Sequence, residues 1–71
     1  MPLITEEIIA EDDNTLTIRF TNRSNTRFRE RTVNKVESMT NEDLLRRWHR
    51  RMTIEYLQRP FRFKRIVNPG E

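Results

Sequence analysis

A chain of 71 residues that is 34% hydrophobic and lacks cysteine makes one small domain with a thin core, no disulfide and no thiolate metal site. Its net charge of +3 hides a division: residues 1–18 hold five acids and no base, whereas residues 19–71 hold all 14 bases, twelve of them arginine, against six acids. So small a core leaves little room for an enclosed small-molecule pocket, which needs ~300 Å³ or more, and no apolar run approaches the ~18 residues of a membrane span.

Residues 3–10 mix Leu3, Ile4, Ile8 and Ile9 with Glu6 and Glu7. Their alternation is poor, so two readings stand: a first strand, or a partly ordered acidic arm over residues 1–10. Asp12-Asp13-Asn14 is a turn, and Leu16-Thr17-Ile18-Arg19-Phe20 alternates with period two, so the pair reads as a hairpin. A second turn follows at Asn22-Arg23-Ser24-Asn25. After it, Arg27-Phe28-Arg29-Glu30-Arg31 reads as a strand because Thr32, Val33 and Val36 are β-branched. That puts Arg27, Arg29 and Arg31 on one face and Phe28 on the other, with a bulge expected near Asn34, where alternation breaks.

The clearest element is a helix over about 41–58. Thr40 as N-cap and Asp43 at N3 form a variant capping box, and Met39 with Leu44 makes the matching hydrophobic staple. Leu44, Leu45, Trp48, Met52 and Tyr56 then share one stripe, and Pro60 stops the helix near Gln58 or Arg59. Phe61 to Val67 alternates again as a last strand, and Asn68-Pro69-Gly70-Glu71 reads as a frayed tail. The expected fold is α+β: a single domain over 1–71, ordered β-β-(β)-α-β, with a small antiparallel sheet of two to four strands packed on one amphipathic helix.

Function is carried by charge more than by chemistry. In Arg46-Arg47-Trp48-His49-Arg50-Arg51, favourable i,i+4 pairs (Glu42 with Arg46, Asp43 with Arg47) are cancelled by like-charge pairs (Arg46 with Arg50, Arg47 with Arg51). Each is worth only ~0.2–0.5 kcal/mol, so helix stability does not explain the cluster. It reads either as a solvated helix face or as a docking face for carboxylates or phosphates, with Ile54 among the arginines suited to a protein interface. The strand arginines make a second basic row, and Arg62, Lys64 and Arg65 a third; if their strands share a sheet, the rows merge into one patch. Stacking of nucleic-acid bases would need Phe20, Phe28, Phe61 or Phe63 exposed, whereas a domain this small is expected to keep them inside.

The acidic segment, with Glu6, Glu7, Asp12 and Asp13, argues against nucleic acid as sole partner. Opposite poles fit a protein with complementary patches. Catalysis has little support: His49 is the only histidine, no nucleophile or metal set accompanies it, and the only glycine, Gly70, leaves no phosphate loop. The expectation is a non-enzyme without cofactor, metal, membrane partner or small-molecule substrate.

In size, absence of cysteine, one helix in a mostly β body and opposed charge poles, the chain resembles small phage-encoded proteins that bind bacterial RNA polymerase. The resemblance is one of kind and assigns no residue. It implies a transcription regulator in the host cytoplasm that docks on a large protein assembly; the charge pattern, not the resemblance, puts the expected contact at Arg46, Arg47, Arg50, Arg51 and Ile54, with Arg27, Arg29, Arg31 and the four acids alongside. The alternatives are a basic RNA- or DNA-binding module and a structural subunit of a virion or complex.

Overall fold

A computed structural model describes residues 2–58 and 62–67. The chain forms strands β1 (Ile4–Glu11), β2 (Thr15–Asn22) and β3 (Arg27–Asn34), helix α1 (Asn41–Gln58) and a two-residue strand β4 (Lys64–Arg65). All four strands lie in one antiparallel sheet in chain order, so the α+β architecture expected from the sequence is the one observed. Of the two readings of the first run, the strand is the one that forms. Pro60, Phe61 and the tail at 68–71, for which a helix stop, a strand start and fraying were expected, lie outside the described residues.

The hairpin between β1 and β2 turns on Asp12, whose Oδ1 accepts the N–H groups of Asn14 (2.8 Å) and Thr15 (2.7 Å). That is the side-chain mimic of a turn that Asp offers at little cost. A bulge does occur, but in β1 at Ile9 and not near Asn34; the β2–β3 register runs unbroken to the Thr15–Asn34 pair. Adjacent apolar residues Ile8 and Ile9 cannot both face a core in a regular strand. Alternation keeps Ile8 packed against the core and leaves Ile9 44% exposed, while the extra residue shifts the parity beyond it, so that Glu11 pairs with Leu16 on the helix side.

Leu16, Ile18 and Phe20 of β2 are wholly buried beneath α1, joined by Ile4 and Val33 from the sheet, Leu44 and Met52 from the helix, and Phe63 after it. The expected stripe on α1 is correct: Leu44 and Met52 are buried, and Leu45, Trp48 and Tyr56 pack half-buried around them. The capping box closes reciprocally, Asp43 N–H donating to Thr40 Oγ1 (3.2 Å) and Thr40 N–H to Asp43 Oδ2 (3.4 Å).

At the far end of the helix, Asn22 is buried yet fully satisfied. Its Oδ1 accepts the N–H groups of Thr26 and Arg27 (both 2.8 Å), and its Nδ2 donates to Thr26 Oγ1 (2.9 Å) and to the Tyr56 hydroxyl (3.4 Å). One side chain thus holds the β2–β3 turn and ties it to α1. Asn25 in the same turn takes φ = 58°, a left-handed conformation that asparagine tolerates better than most residues.

Parity corrects one expectation about the phenylalanines. Phe20 and Phe63 are core, and Phe61 lies outside the described residues, but Phe28 sits on the open face of the sheet opposite Thr21 and Lys64. The guanidinium of Arg19 lies 4.2 Å from its ring centroid and covers it. No helix of the described residues is long and apolar enough to cross a membrane.

Candidate interaction surfaces

The four helix arginines are all exposed, and none joins an ion pair among the described residues. The expected pairing of Asp43 with Arg47 is not made, because the Asp43 carboxylate turns back to the cap. Arg46, Arg47, Arg50 and Arg51 line a shallow depression on the outer face of α1, together with Met39, Asp43 and Ile54. Ile54 is 50% exposed and Leu57 63%; the last strand does not fold over them. The helix therefore presents an aliphatic side chain ringed by guanidinium groups that make no ion pair among the described residues.

The second basic row is placed differently. In register, Arg29 lies opposite Phe20 and Arg31 opposite Ile18, so both point to the helix side of the sheet. There they are put to internal use. Arg29 forms a half-buried ion pair with Glu55, Arg27 Nη1 donates to the Phe63 carbonyl (3.4 Å), and the Arg31 guanidinium lies 5.5 Å from the Trp48 ring centroid. Long arginine stems thereby roof the β3 flank that α1, packed mainly on β1 and β2, leaves uncovered. Arg51 approaches the same ring at 5.0 Å, so two guanidinium groups lie against the indole.

The third row does not merge with the second into one patch. The strands share a sheet, but Lys64 pairs with Phe28 on the open face while Arg65 pairs with Arg27 on the helix face.

The acids are partly consumed as well. Glu6 Oε2 accepts from His49 Nδ1 at 2.6 Å, Glu11 takes Lys35 Nζ at 2.6 Å and Asn41 Nδ2 at 3.3 Å, and Asp12 holds its turn. Hydrogen bonds from Lys35 and then Asn41 hold the Glu11 carboxyl below its ordinary range; the Asn14 and Thr15 backbone bonds do the same for Asp12. Glu7 and Asp13 remain exposed. The acidic segment is thus mainly a folding device, and what is left of it for a partner is smaller than its composition implies.

Sequence reasoning missed one feature: a cleft of about 610 Å³, open to solvent, between β3 and the Arg47-Trp48-Arg51 side of α1. The signal was the shortness of the last strand, which could not be read from Phe61–Val67 because alternation there gives no partner. Among the described residues, no group of three or more His, Asp or Glu side chains is placed to hold a metal ion. Comparison with known proteins gives no match: no family model, curated protein or solved structure resembles the chain closely enough to assign it.

Proposed function

We propose that the chain is a non-enzymatic regulatory domain that docks on a larger protein assembly through the exposed face of α1. Ile54 would seat in an apolar pocket, and Arg46, Arg47 and Arg50 would meet carboxylates around it. The observation that carries this reading is Ile54 itself, half-exposed inside a ring of guanidinium groups that form no ion pair among the described residues. A buried aliphatic anchor with a charged, arginine-rich surround is the usual anatomy of a protein interface. A phosphate surface gains nothing from the isoleucine. Bacterial RNA polymerase is the assembly to test first, on the resemblance in size and charge pattern to phage regulators.

The experiment is direct binding to purified bacterial RNA polymerase, comparing the native chain with an Arg46→Glu, Arg50→Glu, Ile54→Asp variant. All three side chains are exposed, so the variant keeps its fold and its thermal transition. Truncating a single arginine of a desolvated pair costs ~2–5 kcal/mol, so charge reversal at two positions abolishes binding. Equal binding by a folded variant rules out this face as the docking surface.

A second reading, an RNA- or DNA-binding module, is favoured by one observation: Phe28 on the open sheet face, with Arg19 over it and Lys64 beside it. Against it, Arg19 lies between Glu7 and Glu30 in register, which places two acids on the same face. A nucleic-acid module with six phosphate contacts loses ~10³-fold or more in affinity between 50 and 200 mM salt, and titration with single-stranded and duplex oligonucleotides reads that slope.

A further inference from the structure

The sheet has two edges, and they are built differently. On the β3 side, Ile66 N–H donates to the Thr26 carbonyl (2.9 Å), which shows that Thr26 aims its backbone outward. On the other side of the same strand, Lys35 N–H reaches the Asn14 carbonyl (2.7 Å) and so points inward to β2. Antiparallel alternation then assigns the outward N–H and C=O groups to Phe28, Glu30, Thr32 and Asn34. Strand β4 pairs only as far as Phe28. Among the described residues no strand lies beside Thr32 and Asn34, which form one wall of the 610 Å³ cleft. The opposite wall is α1, with Arg47, Trp48 and Arg51.

We propose that this edge receives an extended, acidic segment of a partner protein as a fifth strand. The segment would pair with Thr32 and Asn34 through main-chain hydrogen bonds and place alternate carboxylates between Arg31, Arg47 and Arg51. An unpaired edge over a groove that takes alternate side chains is the physical basis of recognition by strand addition. Charge selects the occupant. Arg31, Arg47 and Arg51 line the cleft against one acid, Glu30, so its lining is net positive. Period-two alternation sends every second side chain of the incoming strand into the cleft, so a sequence alternating acidic and apolar residues fits it.

A second copy of this chain is the competing occupant, since β1 is an acidic edge. Two features disfavour it. The bulge at Ile9 breaks the regular edge of β1, and Glu6 and Glu11 are already bonded to His49 and Lys35. The proposal rests on the protein-binding reading above; its surface shares Arg47 and Arg51 with the Ile54 face but not Arg46, Arg50 or Ile54, so variants at those three positions let the two fail separately.

The test uses the full chain with a synthetic eight-residue peptide alternating glutamate and valine. Expected are saturable binding, slower exchange of the Thr32 and Asn34 amide protons in the complex, and weakening of at least about tenfold when the peptide nitrogens on the pairing edge are methylated, since each lost ladder bond contributes a few-fold. Arg51→Glu should weaken it by a similar factor, while the Arg46→Glu, Arg50→Glu, Ile54→Asp variant should bind the peptide as the native chain does. Several results would overturn the proposal: no binding, binding that leaves the two amides unprotected, equal binding of the methylated peptide, concentration-dependent self-association that protects the same amides, or tighter occupation of the cleft by a single-stranded oligonucleotide.

Discussion

Glu6 on β1 and His49 on α1, 43 residues apart in the chain, meet at 2.6 Å in a half-buried contact that pins the acidic strand to the helix. The chain's only histidine is therefore a fastening between the acidic and basic halves of the molecule. Glu6→Gln and His49→Ala should each lower stability by about 0.5–1.5 kcal/mol, and the double variant should cost less than their sum. In a domain this small, 1 kcal/mol is worth about 4–8 °C in Tm, so thermal unfolding followed by circular dichroism resolves it. Strictly additive losses would show that the contact contributes nothing.

Asn22 is a stronger point of dependence. Replacing it with alanine leaves the N–H groups of Thr26 and Arg27 and the Tyr56 hydroxyl without their partner, at about 1–3 kcal/mol for each group that water cannot reach. The β2–β3 turn and the end of α1 should loosen together, read as faster amide exchange in both. Asn25→Gly should have the opposite sign or none, because glycine accepts φ = 58° without strain.

The core is thin enough that one residue decides folding. Met52→Ala removes a fully buried side chain beneath the sheet and costs about 2–5 kcal/mol. Marginal stability of ~0.05–0.15 kcal/mol per residue leaves little in reserve. The variant should show a large fraction unfolded at 37 °C, whereas Ile54→Ala, on the exposed face, should stay within about 0.5 kcal/mol of the native chain.

Acid should destabilise the domain in a defined direction. Glu11 and Asp12 have carboxyl groups held below their ordinary values of 4.5 and 3.8 in the folded state. A depressed folded pKa gives stability that is complete above the unfolded value and is lost as pH falls through the folded one. Urea midpoints should therefore be flat above about pH 5 on this account and fall below about pH 4. Asp12→Asn keeps an oxygen to accept the Asn14 and Thr15 N–H groups but cannot titrate, so it should flatten part of that fall; an unchanged slope would remove Asp12 from the account.

Much of the fold was legible because local physics and tertiary packing agree there. The Thr40–Asp43 box, the apolar stripe and the acidic turn are short-range patterns, and they form where the sequence places them. The bulge was misplaced because broken alternation after Val33 marks the strand's end, whereas the register shift falls between Ile8 and Ala10, where two adjacent isoleucines hide the change of parity. Phe28 was assigned to the core from composition, but its parity with Arg27 and Arg29 decides its face. Once those arginines roof the core, Phe28 must face away. The candidate site was half legible. Exposure of Arg46, Arg47, Arg50 and Ile54 follows from 100° per residue on one helix, but the internal partners of Arg27, Arg29 and Arg31 do not.

The sequence by itself determined the local grammar of this protein: a capped amphipathic helix, two turns, alternating strands and a surplus of arginine on a chain too small to bury it. Tertiary structure alone decided which charges are left over. Glu55 answers Arg29, His49 answers Glu6 and Trp48 receives Arg31 and Arg51, because pairing of charges across elements depends on distances set by the packing of helix on sheet. Among the described residues it also leaves β3 beyond Phe28 without a neighbouring strand.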